Sequence, residues 1–142
     1  MVRIQIIGLV CLMLWFSALQ ASDLLREERM AAEIEEAILV GEPVWLQAGE
    51  QRFFAIHALS ELNRTYGGVI ILHGRGAHPD WSDVINPLRS ELPAHGWQTL
   101  SIQLPVAEAG AKDLVYRGLI PEALPRIVAA IDYFDQQGVQ NV

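Results

Sequence analysis

His73-Gly74-Arg75-Gly76 follows directly on the unbroken apolar run Val69-Ile70-Ile71-Leu72. A loop that leaves the carboxyl end of a buried strand lies where open α/β sheets bind their ligands. Glycines at 74 and 76 admit backbone angles closed to other residues and let a substrate reach the peptide N–H groups without a side chain in the way. The chemistry this suits is an oxyanion hole, in which N–H donors point at the negative oxygen of a tetrahedral intermediate. Losing one such donor costs about 3 kcal/mol in the transition state. A dinucleotide-binding loop needs a third glycine at position 79, where Pro79 stands, and a phosphate loop needs Gly-Lys-Ser or Gly-Lys-Thr, which is absent. The plain alternative is a tight strand-to-loop turn with no catalytic duty, since short glycine motifs recur by chance.

The other reactive side chains form no comparable constellation. Ser60, Ser82, Ser90 and Ser101 lie outside any Gly-x-Ser-x-Gly context, so none reads as a nucleophile on a strand-to-helix elbow. His57, His78 and His95 with Asp80 and Asp83 match no metal-ligand spacing, and no metal or cofactor is expected. Simpler roles fit them: His57 within a hairpin, Asp80 as a helix N-cap with Asp83 in the first turn, and His95 near a helix C-terminus. Trp81 and Trp97 read as packing residues.

The elements that must position the loop follow from periodicity. Asp23 to Val40 reads as a helix with Ser22 or Asp23 as N-cap and Gly41 as its stop; its Glu27, Glu28, Glu33, Glu35 and Glu36 form a solvated face around one apolar stripe. Pro43 to Leu46 and Arg52 to Leu59 alternate as strands of a hairpin turned at Ala48-Gly49-Glu50. Val69 to Leu72 is short, continuous and β-branched, the pattern of a strand covered on both faces. Trp81 to Leu92 has helical spacing, interrupted at Pro87, with Asn86 as a second N-cap and Gly96 as the end. Trp97 to Leu104 reads as a strand. Val106 to Ile120 reads as a loop with a helical turn near Asp113 to Arg117, followed by a helix from Pro121 to Gln137. In that helix Leu124, Ile127, Val128, Ile131 and Phe134 share one face, and Gly138 is its stop. A strand, a helix and a second strand imply parallel pairing by a crossover, so the class is α/β with a hairpin leading in.

The start of the chain reads differently. Arg3 precedes an apolar core from Ile6 to Leu19, and the small residues Ala21 and Ser22 offer a site for a signal peptidase. The expected organisation is a signal peptide over residues 1–22 and a partial domain over 23–142, exported to the periplasm and clear of the membrane once cleaved. An uncleaved anchor is the alternative, because the stretch is near the length of a membrane span. Cys11 falls inside that segment, so the mature chain could form no disulfide. Asp and Glu number 17 against 10 Lys and Arg, with no basic cluster, which argues against a nucleic-acid partner.

The stretch GGVIILHGRGAHPDWSDVINPLRSELPAHGWQTLSIQLP, Gly67 to Pro105, resembles the third strand, oxyanion loop, first helix and fourth strand of the α/β-hydrolase fold. Within that superfamily it is most similar to the exported Domain of Unknown Function family 3530. Tyr116 to Val142 resembles the loop and helix that precede the nucleophile strand in that group. The resemblance implies that the N–H of Arg75 contributes to the oxyanion hole while His73 and Gly74 shape the turn, with Gly76 completing the loop. It also implies that the serine, acid and histidine lie beyond Val142, and that the sheet is the N-terminal portion of a larger one with an open edge at Val69 to Leu72. Such an edge favours self-association. Three readings stay open: the oxyanion-loop half of an esterase-type hydrolase of unknown small-molecule substrate, inactive as this chain alone; a non-catalytic exported binding protein on the same scaffold; and a nonfunctional truncated fragment.

Overall fold

A computed structural model describes residues 22–142, so the signal-peptide reading of the N-terminal segment falls, but for Ser22, outside the described residues. Four strands form one mixed sheet, β1 (Glu42–Ala48), β2 (Gln51–Ala58), β3 (Gly67–Leu72) and β4 (Trp97–Ile102), in the order β1-β2-β4-β3. β1 and β2 make the expected hairpin, with Ala48 opposite Gln51 across the Gly49-Glu50 turn. β2 runs antiparallel to β4, and β3 runs parallel to β4 from Gly67 opposite Trp97 to Leu72 opposite Ile102. This is the α/β class with a parallel pair joined by a helical crossover.

Helices cover both faces. α1 (Leu24–Ala37) sets Ala31 and Ile34 against Phe54 and Ile56 of β2. On the opposite face Ala130 and Phe134 of α3 (Asp113–Gln136) pack with Leu46, Phe53, Ala55, Leu100, Ile102 and Val139. β2 is therefore buried on both faces from Phe53 to Ala58 and lacks the one-sided alternation its sequence suggests. The crossover helix α2 (Ile85–Glu91) lies on the α1 side, where Thr99 donates its hydroxyl to Arg89 O at 2.8 Å and Ser101 donates to Pro79 O at 2.7 Å.

Several boundaries differ from the sequence reading for identifiable reasons. Asp23 is the N-cap of α1, accepting from Arg26 N at 3.0 Å, but the helix ends at Ala37, and Ile38 is already extended. Glu27, expected on a solvated face, is buried: its carboxylate meets Arg126 of α3, 1% exposed, around the end of the sheet. Burial outweighs the Arg126 contacts and holds the Glu27 carboxyl above its ordinary range. α2 begins only at Ile85, because Asp80 does not cap it; its carboxylate accepts instead from Asn86 Nδ2 and the Arg89 guanidinium. Pro87 is thus the third helical residue, and a 3-10 turn over Leu92–His95 closes on Gly96.

The helical turn expected near Asp113 to Arg117 and the helix expected from Pro121 merge into a single α3 that carries Pro121 and Pro125 inside it, while 106–112 stays a loop. Both prolines face solvent, so the carbonyls deprived of a helical partner can be hydrated and the helix continues. Its buried face is Leu119, Arg126, Ala130 and Phe134, whereas Leu124, Val128 and Ile131 of the expected core stripe point outward. Gly138 closes α3 as expected: its N–H donates to Asp135 O, and Val139 N donates to Phe134 O, both at 2.9 Å. Trp81, read as a packing residue, is exposed and stands edge-on to His78.

Candidate functional site

The carboxyl ends of the parallel strands β3 and β4 lie side by side, and the residues that follow them form the site. After Leu72 the chain enters His73, whose imidazole is buried while Gly74 and Arg75 are exposed. His73 Nε2 accepts from Leu104 N at 2.9 Å, just past β4. A nitrogen that accepts a peptide N–H carries no proton, so the proton sits on Nδ1, which donates to Gly74 O at 2.9 Å. Gln103 Nε2 lies 3.1 Å from the same Nε2. The ring is a neutral clamp between the glycine loop and the end of β4. Desolvation pushes its pKa down to about 4, which suits a positional duty rather than proton transfer near neutrality.

The two glycines are not equivalent. Gly76 has φ 75°, a conformation in which other L residues are strained, and it lets Ala77 N turn back to Gly74 O at 3.2 Å. Gly74 has no such backbone, and a Cβ there would meet nothing within 4 Å. Packing does not demand glycine at 74; what its bare Cα provides is open space in front of the loop.

Among the described residues no acceptor takes the N–H of Gly74, Arg75 or Gly76. The Arg75 side chain is drawn aside, its guanidinium paired with Asp113 at the start of α3 and 5.7 Å above the Tyr116 ring. Beside the loop a cleft of about 200 Å³ is walled by Leu104, Pro105, Val106, Leu119 and Ile120. The site therefore offers unclaimed backbone donors at the rim of an apolar cleft.

A larger cleft of about 560 Å³ lies elsewhere, between α1 and the hairpin, lined by Glu28, Glu35, Trp45 and Arg52 among others. Arg52 stacks 4.3 Å over Trp45 at its wall, and its lining carries glutamates but no serine, cysteine or histidine. The serines have structural partners: Ser60 donates to Leu62 O, Ser82 to Asp83 Oδ1, Ser90 to Asn86 O and Ser101 to Pro79 O. The histidines are likewise separate. His57 bonds Gln98 Oε1 and Tyr133 through its two ring nitrogens, and His78 Nδ1 accepts from Asp80 N. Among the described residues no three His, Cys, Asp or Glu side chains gather as metal ligands. The clamp by His73 was missed by sequence reasoning, because the partner Leu104 is 31 residues away and contributes only its backbone.

Fold and site together define a mixed-sheet α/β domain with a glycine loop at the carboxyl edge of its parallel strands. Residues 20–117 match a family described as protein of unknown function (DUF3530), and the chain belongs to that family. The match takes in β3, the glycine loop and β4, and ends within the first turns of α3. No curated protein and no solved structure matches the chain.

Proposed function

We propose that this chain supplies the oxyanion-binding half of an exported α/β-hydrolase-like protein acting on an ester or related acyl compound. The observation that carries the reading is the set of unclaimed N–H groups at Gly74, Arg75 and Gly76, at the carboxyl end of β3 and beside an apolar cleft. Arg75 N–H is the principal donor, Gly76 sets the turn, and His73 fixes the loop against β4. Export is supported by the apolar core Ile6 to Leu19 ahead of Ala21 and Ser22. Among the described residues no helix is long and apolar enough to cross a membrane.

The test is direct. In the ¹⁵N-labelled protein titrated with acetate as a small oxyanion, the Arg75 and Gly76 amides are expected to move most, and Gly76→Ala to suppress the response. Unmoved loop amides at saturating acetate would remove the reading. The same chain is expected not to hydrolyse p-nitrophenyl acetate, because it contains no Gly-x-Ser-x-Gly elbow. In the source DNA read past the Val142 codon, the reading expects that elbow, then an acid and a histidine.

A further inference from the structure

A polar group buried without a hydrogen bond costs free energy, so each one in a folded chain calls for an explanation. Among the described residues three buried side-chain atoms lack a partner: Gln51 Nε2, Gln103 Oε1 and Arg126 Nε. They are distant in sequence, yet all three gather at the cleft of about 560 Å³ between α1 and the hairpin. Gln51 and Gln103 line that cleft, and Arg126 stands behind its wall, paired with Glu27 and 5.4 Å over the Phe53 ring. The volume is that of a small-molecule site.

Gln103 is 1% exposed, and the two arms of its amide have different surroundings. Its Nε2 is spent toward the glycine loop, donating to Leu104 O at 2.7 Å and lying 3.1 Å from His73 Nε2. Neither His73 nor Leu104 lines the larger cleft, so Oε1, the opposite arm of a planar group, is the acceptor left for it. Gln51 Nε2 is a donor in the same cleft, and the two amides do not bond each other.

The charge lining the cleft is uneven. Glu28 and Glu35 of α1 and Glu50 of the hairpin turn face Arg52 as their one counter-charge there, the Glu27 carboxylate being matched by Arg126. Glu35 also accepts from Trp45 Nε1 at 3.4 Å. Arg52 covers a face of the Trp45 ring on which a sugar could otherwise stack. A ligand that answers these groups brings a carbonyl for Gln51, an N–H for Gln103 and a cation for the glutamates.

We infer that this cleft is a second binding site and that it takes a short basic peptide segment, with a backbone amide between Gln51 and Gln103 and a lysine or arginine side chain among Glu28, Glu35 and Glu50. A peptide amide supplies donor and acceptor together, and the basic side chain supplies the charge. The site is separate from the glycine loop, and the inference does not rest on the hydrolase reading.

The test uses the ¹⁵N-labelled chain titrated with Nα-acetyl-lysine amide and with Nα-acetyl-norleucine amide, which differs only in lacking the ammonium. With the lysine amide, the side-chain amide signals of Gln51 and Gln103 and the Trp45 indole N–H are expected to move saturably, while the Gly74 to Gly76 amides stay in place. The norleucine amide is expected to bind about tenfold more weakly, and Gln51→Leu to weaken the lysine amide by about the same factor, the worth of one charge contact or hydrogen bond. Glu28→Gln with Glu35→Gln is expected to abolish the preference for the lysine amide. Unmoved cleft signals at saturating lysine amide would overturn the site, as would Gln51→Leu without effect. Equal binding of the two amides would overturn the basic class, and N-acetylglucosamine moving these signals where the lysine amide does not would replace the peptide by a sugar. Acetate at the glycine loop reports on other amides, so failure of either site leaves the other standing.

Discussion

Acidification should weaken this protein through His73, and the size of the effect follows from its surroundings. The ring is buried, accepts a peptide N–H from Leu104 and donates to Gly74 O, so a second proton would face the Leu104 donor and lose its hydration together. Its pKa falls from 6.5 to about 4 in the folded chain. Between those values the unfolded chain binds the proton and the native chain does not, so stability rises with pH and is lost as pH falls from about 6.5 through 4. At about 1.4 kcal/mol for each pKa unit, the full loss is roughly 3 kcal/mol. That is a large share of the roughly 5–15 kcal/mol that holds a domain together. His78, lowered by partial burial, acts in the same direction, so the assay compares the protein with His73→Gln, in which only the His73 contribution is gone. Urea unfolding followed by tryptophan fluorescence at pH 7 and pH 4 should show the unaltered protein losing about 1 M or more in midpoint beyond any loss in the variant. Nitrogen-15 spectra of the imidazole should show the proton on Nδ1 and no titration near 6.5. A His73 ring that titrates at its ordinary value, or carries its proton on Nε2, would refute the clamp.

Three further outcomes follow from packing and pairing. A Cβ on Gly68 would stand 2.7 Å from the Phe134 ring, so Gly68→Ala should cost about 1–3 kcal/mol in thermal or urea unfolding, with Phe134→Leu recovering part of it in the double variant. Arg126→Met alone strands the buried Glu27 carboxylate and should cost about 3–5 kcal/mol. The paired change Glu27→Leu with Arg126→Met should cost less, about 2 kcal/mol, because it leaves only Val106 N–H and Gln103 O without partners; equal losses for the single and paired changes would contradict this. Because β3 is the outer strand and Ile120, Leu124, Val128 and Ile131 are exposed on α3, sedimentation velocity should show concentration-dependent association that Ile70→Lys and Leu124→Glu reduce.

Legibility in the sequence tracked how local each cause was. The β1–β2 turn, the Asp23 cap, the Gly138 stop and the strand that precedes the glycine loop are each set by residues within a few positions of one another, and all are found where the pattern places them. The burial of Glu27 is of another kind. A glutamate in a run of glutamates reads as solvated until Arg126, 99 residues later, arrives from across the end of the sheet. The α3 stripe misled for a related reason: Leu124, Val128 and Ile131 have the spacing of a core face, but the face that meets the sheet carries Arg126, Ala130 and Phe134. Which side of an amphipathic helix is buried depends on what it lands on.

For the candidate site the division is similar. The sequence by itself determined that a glycine loop follows a short apolar strand, that no serine here lies in a Gly-x-Ser-x-Gly context, and that acidic residues outnumber basic ones, 17 to 10. Only the tertiary structure decided that His73 turns inward and is neutral, that Arg75 is drawn to Asp113, and that three loop amides are left without acceptors. Those facts depend on Leu104 and Asp113 reaching their places through contacts distant in the chain. A backbone N–H is identical at every residue, so nothing in a sequence can mark the ones that folding leaves unclaimed.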